Sequence, residues 1–255
     1  MTGGNGRADE LRANLKAVRA RIAAACQAVG RPADDVTLIA VTKTFPASDV
    51  RLLVELGVAD IGENRDQEAA RKAAECRDLD PRPRWHFVGQ LQVNKARSVV
   101  RYADVIHSVD RLRLVEVLGA RARAAGRVIT CLVQVDLGPE PGPGSAERGV
   151  PGGRPPGLAE RGGAAPGDVS RLADAVAAEV GLTLGGVMAV APLGAPPRPA
   201  FRRLAEVASA VRAAHPDASI ISAGMTGDLE EAIAEGATHV RVGTALLGGR
   251  QPFVR

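Results

Sequence analysis

Aromatic residues are scarce in this chain: one Trp, one Tyr and four Phe among 255 residues. That scarcity argues against a platform on which nucleic-acid bases could stack. The formal charge is only +4, and no basic cluster interleaves with aromatics, so nucleic acid is not an expected partner. Long apolar runs are missing too. The longest, such as Val36–Val41, are strand-length, which excludes a membrane-spanning helix. The N-terminus is polar and has no apolar core of a signal peptide, so a cytoplasmic location is expected. Three cysteines, Cys26, Cys76 and Cys131, lie far apart. They suggest a reducing compartment without a disulfide framework, and no metal-ligand spacing joins them to the four His.

Lysine is the most informative shortage. Only four, Lys16, Lys43, Lys72 and Lys95, stand against 29 Arg. A guanidinium neither deprotonates in a protein nor forms an imine. In a chain that otherwise uses Arg for positive charge, each remaining Lys is a candidate for chemistry that Arg cannot perform.

What is present is a regular alternation. Residues Asp9 to Val29 read as an amphipathic helix with Leu11, Leu15, Val18 and Ile22 on one stripe. Strand-like runs follow at Val36–Thr42, Ala59–Ile61, Trp85–Val88, Val105–Ser108, Val128–Val135, Leu182–Val190, Ser219–Ser222 and His239–Val242. Helical segments separate them: Ala47–Leu56, Asp66–Cys76, Asn94–Tyr102, Arg111–Ala125, Val169–Val180, Pro199–Ala214 and Asp228–Glu235. Strands joined by helical crossovers pair in parallel. Eight such units predict one (β/α)8 TIM barrel with an extra N-terminal helix, a single domain over residues 1–255. An open doubly wound sheet is the alternative, but no G-x-G-x-x-G joins a strand to a helix. One stretch breaks the pattern. Gly138 to Gly167 holds ten Gly and seven Pro in thirty residues, which predicts a flexible loop insertion after the fifth strand.

In a barrel of this kind the site forms where strands end. Lys43 shares the face of Ile39 and Val41 by alternation, which points it into the barrel mouth. There an amine is expected to be partly desolvated and nucleophilic; the bland alternative is a Lys reaching out to solvent. The last two strand-to-helix loops carry Gly224, Thr226, Gly227, Gly243 and Thr244, parts suited to a phosphate. Asp228, with Glu231 three residues on, looks like a helix cap in the same loop. Arg241 shares the face of Gly243 and either pairs with a barrel carboxylate such as Asp136 or Glu63, or faces a bound cofactor. His86 and His107 read as satisfied core residues in strands.

Several segments are familiar as an ordered set. They are Ile39 to Thr44, Gly62-Glu63-Asn64, Trp85 to Gln92 with Asn94-Lys95, and Ile106 to Asp110. Val187-Met188-Ala189, Gly224 to Leu229 and His239 to Thr244 complete it. With these the chain resembles the pyridoxal phosphate homeostasis proteins, the YggS/PROSC family, from about Val36 to Gly248. The resemblance implies a barrel like the N-terminal domain of alanine racemase, with pyridoxal 5′-phosphate (PLP) as cofactor, held as a Schiff base on Lys43. It implies phosphate contacts at Thr226, Gly243 and Thr244, Arg241 near the pyridine nitrogen, and Asn64 lining the pocket. It further implies a monomer that carries PLP and other B6 vitamers in vitamin B6 homeostasis, without robust turnover.

Two departures stand out. Thr226 sits where the family usually has Ser, and the loop after Asp136 is unlike the family's short segment. The alternative function is a PLP-dependent amino-acid racemase or decarboxylase. Such enzymes normally carry an added β domain, for which 255 residues leave no room, and the racemases carry a catalytic Tyr. The one Tyr, Tyr102, is expected at the rim opposite the site.

Overall fold

In a computed structural model, residues 3–138 and 162–249 are described. Eight parallel strands close into a barrel in chain order. They are β1 (Thr37–Val41), β2 (Asp60–Glu63), β3 (Arg84–Phe87), β4 (Val105–Val109), β5 (Ile129–Gln134), β6 (Leu182–Met188), β7 (Ile220–Ser222) and β8 (His239–Val242). Helices α2 (Ala47–Glu55), α3 (Asp66–Glu75), α4 (Ala96–Val99), α5 (Leu112–Ala124), α6 (Val169–Ala178), α7 (Pro197–Ala214) and α8 (Leu229–Ala234) make the crossovers. The predicted eightfold alternation is therefore the observed architecture, and β1 pairing with β8 is what rules out the open sheet.

Alternation along the strands separates two cores. Outward residues such as Ala40, Ile61, Phe87, Ile106 and Val240 pack under the helices in one large cluster. A smaller cluster of Val105, Leu132 and Met188 occupies the barrel interior. The first helix, α1 (Gly3–Ala28), buries Leu11, Leu15, Val18, Ile22 and Cys26 and packs on α8 and on a short last helix, α9 (Thr244–Leu247).

Three expectations change. The helix predicted over Asn94–Tyr102 is a 3-10 turn at Val93–Lys95 followed by the four residues of α4. Ser98, Val99 and Val100 have weak helix propensity, and one turn suffices to reach β4. β1 stops at Val41, so Lys43 lies on a turn past the strand. The third change concerns the predicted loop over 138–167. Residues 139–161 lie outside the described residues, but the segment's C-terminal end is built onto the barrel. Val135 bridges Ala164 in parallel, Ala164 N–H donates to Gln134 O, and Asp136 N–H donates to Ala164 O, both at 2.8 Å. Ala164 thus extends the β5 rim by one bridge, because its N–H and carbonyl find ladder partners there.

Candidate active site at the C-terminal barrel mouth

The predicted residues do come together. Gly243 touches the Val41 carbonyl: a Cβ on Gly243 would lie 3.3 Å from it. Val41 pairs with Gly62 and Thr42 N–H donates to Gly62 O at 2.9 Å, so Lys43 and Asn64 follow the ends of neighbouring strands. Asn64 in turn packs its backbone on Gly89, where any Cβ would fall 2.2 Å from the Asn64 carbonyl oxygen. Only glycine allows that approach. Thr226 faces the start of α9, with its Oγ1 3.4 Å from Ala245 N. Lys43, Asn64, Thr226, Arg241, Gly243 and Thr244 therefore share one rim, formed by β8, β1, β2 and the loop after β7.

The extra helix α1 supports the phosphate-loop half of this rim. Arg21 donates to the Thr226 carbonyl at 2.9 Å and pairs with Glu230 of α8 at 2.7 Å. Asn14 and Arg7 donate to the carbonyls of Leu246 and Leu247 at the end of α9, at 3.0 and 3.1 Å. Gly224 has φ +87°, and a Cβ there would lie 2.7 Å from that of Ala232, so the loop after β7 needs glycine at this bend. Asp228 does not cap α8 with its side chain; it accepts the N–H of Met225 at 2.6 Å instead. That carboxylate fixes the loop from inside and ties up the Met225 donor. No carbonyl of the described residues accepts from the N–H of Gly243 or of Thr244.

Lys43 is exposed, not partly desolvated as expected, because the turn carries it beyond the strand ends. Its backbone is tightly held. Thr42–Phe45 is a β-turn closed by Phe45 N–H to Thr42 O at 3.0 Å. Behind it lies a buried ion cluster that the sequence reading missed. Lys72 is 1 % exposed and donates to Glu63 Oε1 and Glu68 Oε1, both at 2.7 Å, and to Thr42 O at 2.6 Å. Thr42 Oγ1 also donates to Glu63 Oε1, at 2.6 Å. Burial pushes Glu63 above the usual carboxylate range, against the opposing pull of Lys72. The available signal was the i,i+4 spacing of Glu68 and Lys72 in a chain short of lysine.

Arg241 is buried inside the barrel. Its Nη1 donates to the carbonyl and hydroxyl oxygens of Ser222 at 2.8 and 2.7 Å, and its Nη2 to Ala189 O at 2.8 Å. None of these acceptors is a carboxylate, and Glu63, one expected partner, is held by Lys72 and Thr42. An arginine has more N–H donors than three bonds use. Burial lowers its pKa to about 10, so it remains a cation at neutral pH.

From Ser222 a chain of hydrogen bonds runs through the barrel. His107 Nδ1 lies 3.0 Å from Ser222 Oγ, His107 Nε2 2.8 Å from His86 Nδ1, and His86 Nε2 2.8 Å from Asp60 Oδ1. Arginine only donates, so Ser222 Oγ accepts from it and turns its own proton to His107 Nδ1. Burial, reinforced by the nearby charge of Arg241, holds His107 well below the ordinary histidine range. Neutral His107 then donates from Nε2 to His86, and His86 donates from Nε2 to Asp60. Burial pushes Asp60 up, but His86 and Arg84 outweigh it and bring its pKa below the usual value. Both histidines are satisfied interior residues, as their strand positions suggested.

Tyr102 makes no hydrogen bond to these rim residues. It packs in the outer core beneath the helices, where burial and the charges of Asp66 and Glu63 raise its pKa.

The fold and the sequence have clear relatives among known proteins. The profile of the alanine racemase N-terminal domain family matches residues 9–251. Alanine racemase from Streptomyces coelicolor shares the barrel, with a TM-score of 0.67 at 20% identity over 94% of this chain and 58% of that one. Much nearer are the pyridoxal phosphate homeostasis proteins. That of Mycobacterium tuberculosis is 41% identical, covering 96% of this chain and 95% of the relative. The Escherichia coli protein is 35% identical over 93% and 95%. PipY of Synechococcus elongatus, solved with PLP bound, superposes with a TM-score of 0.75 at 32% identity, covering 93% of this chain and all of that one. The chain belongs to the pyridoxal phosphate homeostasis protein family.

Proposed function

We propose that this protein binds PLP at the C-terminal barrel mouth, carries it as a Schiff base on Lys43, and serves vitamin B6 homeostasis in the cytoplasm as a carrier, without robust turnover. The observation that carries the reading is the convergence on one rim of an amine, an unpaired amide oxygen, a buried cation and free backbone donors. Asn64 Oδ1 and, near the end of β4, Ser108 Oγ are buried without a hydrogen-bond partner among the described residues. Buried polar groups left so are costly, and a polar ligand would satisfy them. The residues present thus fit the group. PLP supplies an aldehyde that condenses with a primary amine and a ring that withdraws electrons.

This chain's own residues would divide the binding. Thr226 Oγ1 and the N–H groups of Gly243 and Thr244 are suited to the phosphate, and Asn64 to a polar substituent of the ring. Arg241 would face the pyridine nitrogen. It has no proton acceptor to offer and keeps its own proton, so that nitrogen would stay unprotonated and the ring a weak electron sink. That setting suits storage and transfer of the cofactor better than carbanion chemistry. The burial of Tyr102, the chain's one tyrosine, in the core cluster supports the same reading against a racemase. The test is to mix purified protein with PLP, follow the absorbance of the Schiff base, reduce with borohydride and map the adduct. A pyridoxyl group on Lys43 is expected. An adduct only on Lys95, half-buried in the turn after β3, or none at all, overturns the assignment.

A further inference from the structure

We infer that Lys72 and Glu68 of α3, anchored by Glu63 of β2, are positioning residues for Lys43: they clamp the turn that presents its amine. The inference rests on the Schiff-base role proposed for Lys43. Because β1 ends at Val41, no strand neighbour orients Lys43. It occupies the second position of the turn Thr42–Phe45, and Thr44 the third. Thr44 has φ +70°, a conformation that turns normally give to Gly or Asn and that is strained for a β-branched side chain. Something must hold that backbone against relaxation, and the structure shows what does.

The peptide groups on both sides of Lys43 are gripped by side chains. On one side Lys72 Nζ donates to Thr42 O at 2.6 Å. On the other, Thr44 N–H donates to Glu68 Oε1 at 2.5 Å. The two grips are one unit, since Lys72 also bonds Glu68 Oε1 and Glu63 Oε1, and Glu63 takes the Thr42 hydroxyl. Lys72 thereby spends its three ammonium protons on three acceptors, a compact geometry that a planar guanidinium would not reproduce. The lysine is retained here for its shape, whereas Lys43 is retained for its reactivity. Lys43 itself has no hydrogen bond or ion pair among the described residues. A fixed backbone under a free amine favours condensation by positioning the nitrogen. The amine nitrogen attacks the aldehyde carbon, a C=N bond forms, and the carbonyl oxygen leaves as water with the two amine protons.

The test compares Glu68→Ala, Glu68→Gln, Lys72→Met and wild type in full-length protein. Two quantities are measured: the rate of Lys43 adduct formation with PLP, and the affinity for pyridoxine 5′-phosphate, which has the phosphate and ring but no aldehyde. Glu68→Ala is expected to slow adduct formation by about tenfold or more, as small misplacements of a reacting group do. Glu68→Gln, which keeps an acceptor oxygen for Thr44 N–H, should stay within about threefold of wild type. Pyridoxine 5′-phosphate should bind all folded variants alike. Lys72→Met leaves the buried Glu63 and the half-buried Glu68 without their cation, so it is the harsher variant, and the Glu68 pair decides the matter if it fails to fold. Wild-type rates in Glu68→Ala, equal losses in Ala and Gln, or a parallel loss of pyridoxine 5′-phosphate affinity would each overturn the clamp. Absence of a Lys43 adduct in wild type would instead bring down the Schiff-base reading, and the clamp with it.

Discussion

A single nitrogen of Arg241, Nη1, donates to both oxygens of Ser222, the carbonyl at 2.8 Å and the hydroxyl at 2.7 Å. The serine is thereby the joint between a buried cation and the histidine chain that ends on Asp60. Ser222→Ala removes an acceptor from Arg241 and orphans His107 Nδ1 in one step. Leaving buried polar groups unsatisfied costs about 1–3 kcal/mol, so urea unfolding should show a loss of that order. A loss below about 0.5 kcal/mol, the range of ordinary surface substitutions, would mean that the chain adds nothing to stability.

Lys43 is exposed and makes no hydrogen bond among the described residues, so replacing it should not disturb the fold. Lys43→Ala and Lys43→Arg should both unfold within about 0.5 kcal/mol of wild type. Neither should give a borohydride-trapped adduct with PLP, because arginine keeps the charge but cannot form an imine. Full yield in either variant would transfer the role to another lysine.

The phosphate should anchor the cofactor more than the covalent bond does. Each donor among Thr226 Oγ1 and the N–H groups of Gly243 and Thr244 would make a charge-assisted bond worth about 1.5–3 kcal/mol. Pyridoxal, which lacks the phosphate, should then bind at least about a hundredfold more weakly than PLP. Thr226→Ala should weaken PLP by about tenfold while Thr226→Ser should not. Equal affinities for pyridoxal and PLP would move the phosphate site elsewhere.

Mild acid should destabilise the barrel through its buried histidines. Burial lowers His239 from 6.5 to about 4, and lowers His107 as well. A folded pKa below the unfolded one means that the unfolded chain binds more protons between the two values. Stability is therefore fully present above pH 6.5 and falls as the pH drops toward 4, by up to roughly 3 kcal/mol from His239 alone. Unfolding free energies measured from pH 7.5 to 4.5 should show this slope, and His239→Gln should flatten it. A pH-independent stability in that window would contradict the burial of neutral histidines.

The sequence by itself determined the barrel. Apolar residues at strand and helix periods are local signals, and each of the eight predicted strands lies within about two residues of an observed one. It also brought Lys43, Asn64, Thr226, Arg241, Gly243 and Thr244 to one rim, because strand ends share a rim in any barrel of this topology. Tertiary structure decided everything that depends on which side chains meet. Arg241 found Ser222 and Ala189 where sequence reading offered Asp136 or Glu63. His107 and Ser222 are joined across 115 positions, a contact that no period encodes. Lys72 looked like any helical lysine until Glu63, Glu68 and the Thr42 carbonyl closed around it. Strand alternation pointed Lys43 into the mouth, but a turn lifts it past the strand end and buried charges hold that turn. Periodicity is written in neighbouring residues, whereas a hydrogen bond depends on distances of a few tenths of an ångström that only the packed chain sets.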